Sequence, residues 1–210
     1  MCLLIKKGEG HRTQRAGTGT LWLTVFAIVL LCSCSPKKAA TPKPFYNVDS
    51  LISLQVKHLK GKYELNKFVF IDEKEEHTRI VPDSTRWANE LEIFRLIDQV
   101  NKPAFRDNYE VTETRDTNSN LMVREVHLRE GTEAPVLEVK FFYLNNPSDL
   151  RKIVATVGTD NALYTKRQVF TIEFEPVSGI QLVQRYRIEG TEEMFMDDVV
   201  HFVVAGEVAM

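Results

Sequence analysis

From Asn108 onward the chain is a succession of strand-like segments joined by very short connections, and that limits its fold more than any other feature. The segments run 108–117, 120–129, 135–144, 151–158, 164–174, 180–189 and 195–205. Turn formers separate them: Asn118-Ser119-Asn120, Glu130-Gly131-Thr132, Asn145-Asn146-Pro147-Ser148, Gly158-Thr159-Asp160-Asn161, Pro176-Val177-Ser178-Gly179 and Glu189-Gly190-Thr191. A parallel pair needs a crossover of roughly a dozen residues or more, so these neighbours must be antiparallel. The expected fold is mainly β (α+β): an up-and-down antiparallel meander of about seven to nine strands, twisted into a curved sheet or partial barrel and packed on one or two N-terminal helices.

Side-chain alternation supports the strands. Ile180, Leu182, Tyr186 and Ile188 fall on one face, against Gln181, Val183, Arg185 and Arg187. Phe170, Ile172 and Phe174 oppose Thr171 and Glu173. Two segments, 136–144 and 199–204, are apolar on much of both faces, which predicts cover on both sides, one by a helix and the other by a second helix, a partner or a lipid.

Upstream, Asn47 or Asp49 caps a first helix that runs to about Lys60 and stops at Gly61. Residues 62–71 read as a strand, Asp72-Glu73-Lys74-Glu75 as a turn, and 76–81 as a short return strand. A second helix opens at Pro82-Asp83-Ser84, with Asp83 or Ser84 as cap, and ends before Pro103. Its stripe of Trp87, Leu91, Phe94, Ile97 and Val100 requires burial against the sheet.

The N-terminus has three zones. Residues 1–20 carry Lys6, Lys7, Arg12 and Arg15 against the single acid Glu9, residues 21–31 are an unbroken uncharged run, and Cys32-Ser33-Cys34 follows. This is the plan of a secretory signal. The run is too short for a spanning helix, which needs about 20 apolar residues. Leu31-Cys32-Ser33-Cys34 resembles the lipobox of bacterial lipoproteins. The resemblance implies cleavage before Cys34, acylation of that residue, and a bilayer as its first partner. Cys32 fits the pattern less well, because Leu31 would then stand next to the cleavage point. Several acyl chains on one residue hold stably, since each buried CH₂ contributes about 0.8 kcal/mol.

The expected organisation is therefore a cleaved signal peptide over 1–33, a lipidated Cys34 with a Pro/Lys tether over 34–45, and one globular domain over 46–210. From Ser35 to Phe45 the chain has three prolines and three lysines, a composition that extends at ~3.1 Å per residue and packs no core. By lipoprotein sorting rules, Ser35 in the second position and the lack of an acidic cluster after Cys34 place the domain at the outer membrane, facing the periplasm.

Composition narrows the chemistry. Four of the 27 basic and one of the 29 acidic residues precede Cys34, which leaves the remainder near −5. A mildly acidic domain is a poor match for nucleic acid. Cys34 would be the sole cysteine left, so no intrachain disulfide, thiol nucleophile or thiolate zinc site is expected. His58, His77, His127 and His201 show no local metal-clamp spacing, with His77 in or near a turn. No Gly-x-Ser-x-Gly elbow or Gly-rich phosphate loop occurs. The pairs Glu192-Glu193 and Asp197-Asp198 point to opposite strand faces and form no ready dyad. Arg167, Arg185 and Arg187 are candidates for an anion patch if register brings them to one face, with pairing to Glu173 or Glu175 as the alternative. No catalytic residue, metal ligand or cofactor is expected.

Asn161-Ala162-Leu163-Tyr164, and the second helix leading into Asn101-Lys102-Pro103, resemble uncharacterised small lipoproteins of Bacteroidota type over most of residues 46–206, a group that implies no particular activity. In outline the expected sheet and helices also resemble Lol-type lipoprotein carriers and receptors, which implies an apolar cup that handles lipid. Two readings follow. One is a non-enzymatic binding or structural protein of the bacterial envelope. The alternative is a lipid- or lipoprotein-handling cup, which requires a hydrophobic hollow of several hundred Å³.

Overall fold

The computed structural model describes residues 45–161, 163–194 and 198–210. Cys34, the signal segment and most of the tether lie outside them. Helix α1 spans Val48–Leu59, and strands β1 (Glu64–Ile71) and β2 (Lys74–Ile80) form a hairpin. Helix α2 (Ser84–Leu91) continues into a 3-10 segment, Glu92–Asn101. A meander follows: β3 (Tyr109–Arg115), β4 (Met122–Leu128), β5 (Val136–Tyr143), β6 (Leu150–Asn161), β7 (Tyr164–Val177), β8 (Ile180–Met194) and β9 (Val200–Ala209).

The nine strands of the described residues make one antiparallel sheet in the order β2-β1-β9-β8-β7-β6-β5-β4-β3, open at both edges. The expected meander is present from β3 to β9, and the N-terminal hairpin adds to it by pairing β1 with β9. Residues 81–108 then have to carry the chain from one edge of the sheet to the other, and this is why the helical layer lies across a face.

Both helices cover the same face. The fully buried side chains of Trp87, Leu91, Phe94, Ile97 and Val100 meet Phe141, Ile153, Phe170, Ile172 and Tyr186 in one core. Phe94 packs edge-on against Phe170 and Tyr186, each at 5.7 Å between ring centres. Of the covers expected for the second face of 136–144 and 199–204, a second helix is therefore ruled out, because both helices lie on the first face. Their second face has no helix over it.

Three further details differ from expectation. The second helix changes type after Leu91, because its apolar spacing tightens to Leu91, Phe94, Ile97, Val100, the three-residue period of a 3-10 helix. Glu189-Gly190-Thr191 is not a turn but lies inside β8, where Gly190 sits opposite Gln168 and a Cβ would strike the Arg167 carbonyl. Gly158 to Asn161 likewise continues β6, so β6, β7 and β8 outrun the other strands.

The seating of α1 is specific. Asn47 is its cap, with Oδ1 accepting from the Ser50 N–H at 2.7 Å. The buried Gln55 reaches an irregular stretch of β8, where the register with β7 shifts between Arg185 and Val183. Its Nε2 donates to the Gln181 carbonyl and its Oε1 accepts from the Val183 N–H, both at 2.9 Å. The amide thus stands in for a neighbouring strand where pairing with β9 has stopped at Arg185.

Candidate binding groove

The uncovered face, called the outer face below, is ordered by the sheet register. One row crosses all nine strands: Thr112, Glu125, Lys140, Val154, Thr171, Arg187, Ala205, Phe68 and His77. A parallel row holds Lys152, Glu173, Arg185, Glu207, Asn66 and Arg79. Where the twisted sheet folds β7, β8, β9, β1 and β2 together, these rows line an open hollow of about 570 Å³. Phe68 and Ala205 form its apolar floor, with Arg79, Arg185, Arg187, Glu173 and Glu207 around it. His77 stands over Phe68 with ring centres 5.0 Å apart.

Register decides the fate of the three arginines. Arg185 and Arg187 share the outer face and the groove. Arg167 is on the same face but opposite Thr191, four residues further along β8, and lines a different hollow. Neither groove arginine is a free cation. Arg187 Nη2 lies 2.8 Å from Glu189, and Arg185 Nε lies 3.8 Å from Glu207 rather than pairing with Glu173. Glu173 takes Lys152 at 3.4 Å, and Arg79 takes Glu64 at 2.5 Å. The result is a neutralised lattice over an apolar floor. That chemistry suits a polar protein surface or peptide better than a bare anion. His77, expected near a turn, is the middle residue of edge strand β2 and lies 2.8 Å from Glu75.

The lattice continues over β3, β4 and β5. Lys140 lies 3.2 Å from Glu138 and 3.6 Å from Glu125. A hydrogen bond with Glu138, together with partial burial, raises the pKa of Glu125. Burial pushes Glu138 up, but its hydrogen bonds to Glu125 and Lys140 and the Lys140 charge outweigh that and leave it low. The two carboxyls therefore behave as a pair in which Glu125 takes the proton first.

The second hollow, about 700 Å³, opens at the far end of β6 and β7. Phe105, Leu128, Pro135 and Leu137 line it beside Lys166 and Arg167. The chain leaves the domain nearby: Phe45 packs against Tyr109, and the Arg106 guanidinium sits 5.7 Å above the Phe45 ring. Tyr109 donates to the Val136 carbonyl at 2.8 Å, and burial pushes its phenol up to about 12. Asn101 and Asp98 tie down this exit by accepting from the Phe45 and Val48 N–H groups at 2.7 and 3.0 Å.

Beneath α2, Glu90 bridges the two layers. It accepts from the Tyr186 hydroxyl at 2.6 Å and pairs with Lys67 at 2.7 Å. Burial and the Glu90 charge together push the Tyr186 phenol far above its ordinary range. Its ring lies over Gly206, where any Cβ would collide with it. Among the described residues, no three histidine, cysteine, aspartate or glutamate side chains come together to hold a metal ion, and no helix is long and apolar enough to cross a membrane. In comparisons with family models, curated proteins and solved structures, the chain matches none.

Proposed function

We propose that this chain is a non-enzymatic binding module of the bacterial envelope, exported by residues 1–33, lipidated at Cys34 and held on the outer membrane, facing the periplasm, by the 34–45 tether. The observation that carries this reading is the inequality of the two sheet faces. One is sealed by a helical layer, while the other leaves a paired-charge lattice and an apolar-floored groove open. Such a surface offers polar complementarity around a partly apolar centre, the composition of protein-docking surfaces. An envelope protein is the partner that fits it.

The second hollow favours a lipid-handling reading, since Phe105, Leu128 and Leu137 are apolar and the basic Lys166 and Arg167 line it beside them. Against it, Trp87, Phe94 and Ile97 fill the space between helices and sheet where an apolar cup would lie. Native mass spectrometry of the full chain extracted from an envelope fraction separates the two. The proposal predicts a chain beginning at an acylated Cys34 with no further lipid. An additional phospholipid or fatty-acid mass would favour the lipid-handling reading. An unacylated chain that retains residues 1–33 would overturn the anchor.

A further inference from the structure

We propose that the chain self-associates by pairing β2 with β2 of a second copy, antiparallel about a two-fold axis through His77. The inference goes beyond the envelope-binding reading and does not depend on it. β2 is an edge strand, and Lys74 to His77 and Arg79 are exposed. Its free backbone groups follow from the register. The Asp72 N–H bonds the His201 carbonyl across to β9 at 2.9 Å, so even-numbered residues of β1 face β9 and odd-numbered ones face β2. Lys67, Val69 and Ile71 therefore bond to their partners Thr78, Glu76 and Lys74. The outward-facing N–H and C=O groups of β2 are those of Glu75, His77 and Arg79.

A two-fold axis at His77 sets these three residues against themselves in reverse order. Glu75 meets Arg79 of the second copy, Arg79 meets Glu75, and His77 meets His77. On the other face Glu76 meets Thr78, and Lys74 meets Ile80. Two ion pairs form, and the one like pair opposed among these residues is His77 with itself. Moving the axis one residue places Glu76 opposite itself or His77 opposite Arg79. Charges on an edge strand normally deter pairing, and among these registers the axis at His77 alone opposes Glu75 to Arg79. At the other free edge the central register lacks this symmetry. An axis through Thr112, the middle of β3, opposes Glu110 to Thr114 and Val111 to Glu113, with no ion pair. Pairing through β2 is isologous, so it closes at two copies and makes one eighteen-stranded sheet with a continuous outer face.

One strand pair is a small interface, so the association is weak and must be read at high concentration. The test is sedimentation equilibrium of the full chain in density-matched detergent, alone and with Glu75→Arg and Arg79→Glu. The unaltered chain should show a monomer–dimer equilibrium, and each variant alone should weaken it roughly tenfold or more. Mixed in equal amounts, the variants should restore it, because one chain then carries two arginines and the other two glutamates at positions 75 and 79. A chain that stays monomeric throughout overturns the inference and leaves the envelope-binding reading standing. So do variants that associate like the parent, or a mixture of folded variants that fails to recover association. As a second readout, His77→Cys should give a covalent dimer on oxidation beyond that of the parent, since Cα atoms of directly opposed residues fall about 5.5 Å apart, within disulfide range. Its absence counts against the axis at His77.

Discussion

The two faces of this sheet are made by the same strands and differ only in which alternate residue points where. On the helical side, Phe141, Ile153, Ile172 and Tyr186 lie in register and are fully or almost fully buried. One residue over, Lys140, Lys152, Thr171 and Arg187 occupy the opposite face and remain in solvent contact. The first face is held by apolar burial and close packing, which are intolerant of lost volume. The second is held by exposed ion pairs, individually worth little. Stability resides in one face, and the other is left free to vary with a partner.

The largest break in this comparison is Phe94→Ala. It removes a ring wedged between Phe170 and Tyr186, and should cost about 3–5 kcal/mol in denaturant unfolding. Gln55→Ala should come next, at about 2–3 kcal/mol. It strands the Gln181 carbonyl and the Val183 N–H at the edge of β8 without the partner that completes the ladder there. Protection from hydrogen exchange should fall at Val183 specifically.

On the outer face the same measurements should barely move. Arg185→Ala breaks the contact to Glu207 between two side chains that are each more than half exposed, and should change stability by less than about 1 kcal/mol. Glu125→Gln should have the smallest effect and the opposite sign. Because the folded-state pKa of Glu125 is raised, the stability linked to its protonated form is present at acid pH and lost as pH rises through that value. Glutamine mimics the protonated form. The variant should therefore be more stable than the parent at neutral pH, by about 0.5 kcal/mol or less at so exposed a pair, and the gain should vanish as pH falls below the carboxylate range.

Much of the covered face was legible in the sequence, because burial writes a period. Trp87 to Val100 predicted its own stripe, and even the tightening to three-residue spacing that marks the 3-10 segment was present. The short connections required antiparallel neighbours. The union of β1 with β9 was not legible, since pairing between strands far apart in sequence leaves no local mark. Gly190 and Gly158 read as turns because a glycine in a strand and a glycine in a turn look alike until the opposing backbone is known. The groove was partly legible. Arg185 and Arg187 were visible as a same-face pair, but their partners Glu207 and Glu189 depend on register and rotamer, and Phe68, His77 and Arg79 enter only through the β1–β9 pairing. The histidine at 77 carried no signal beyond its own identity.

The most direct test of the claim that function lies on the uncovered face is position-resolved photocrosslinking in the intact envelope. A photoreactive residue replaces Thr171, in the middle of the outer face, or Lys57, on the solvent side of α1. The account predicts a discrete protein adduct from position 171 and none from position 57. Adducts from position 57 with none from 171 would contradict it, and would move the binding surface to the helical layer.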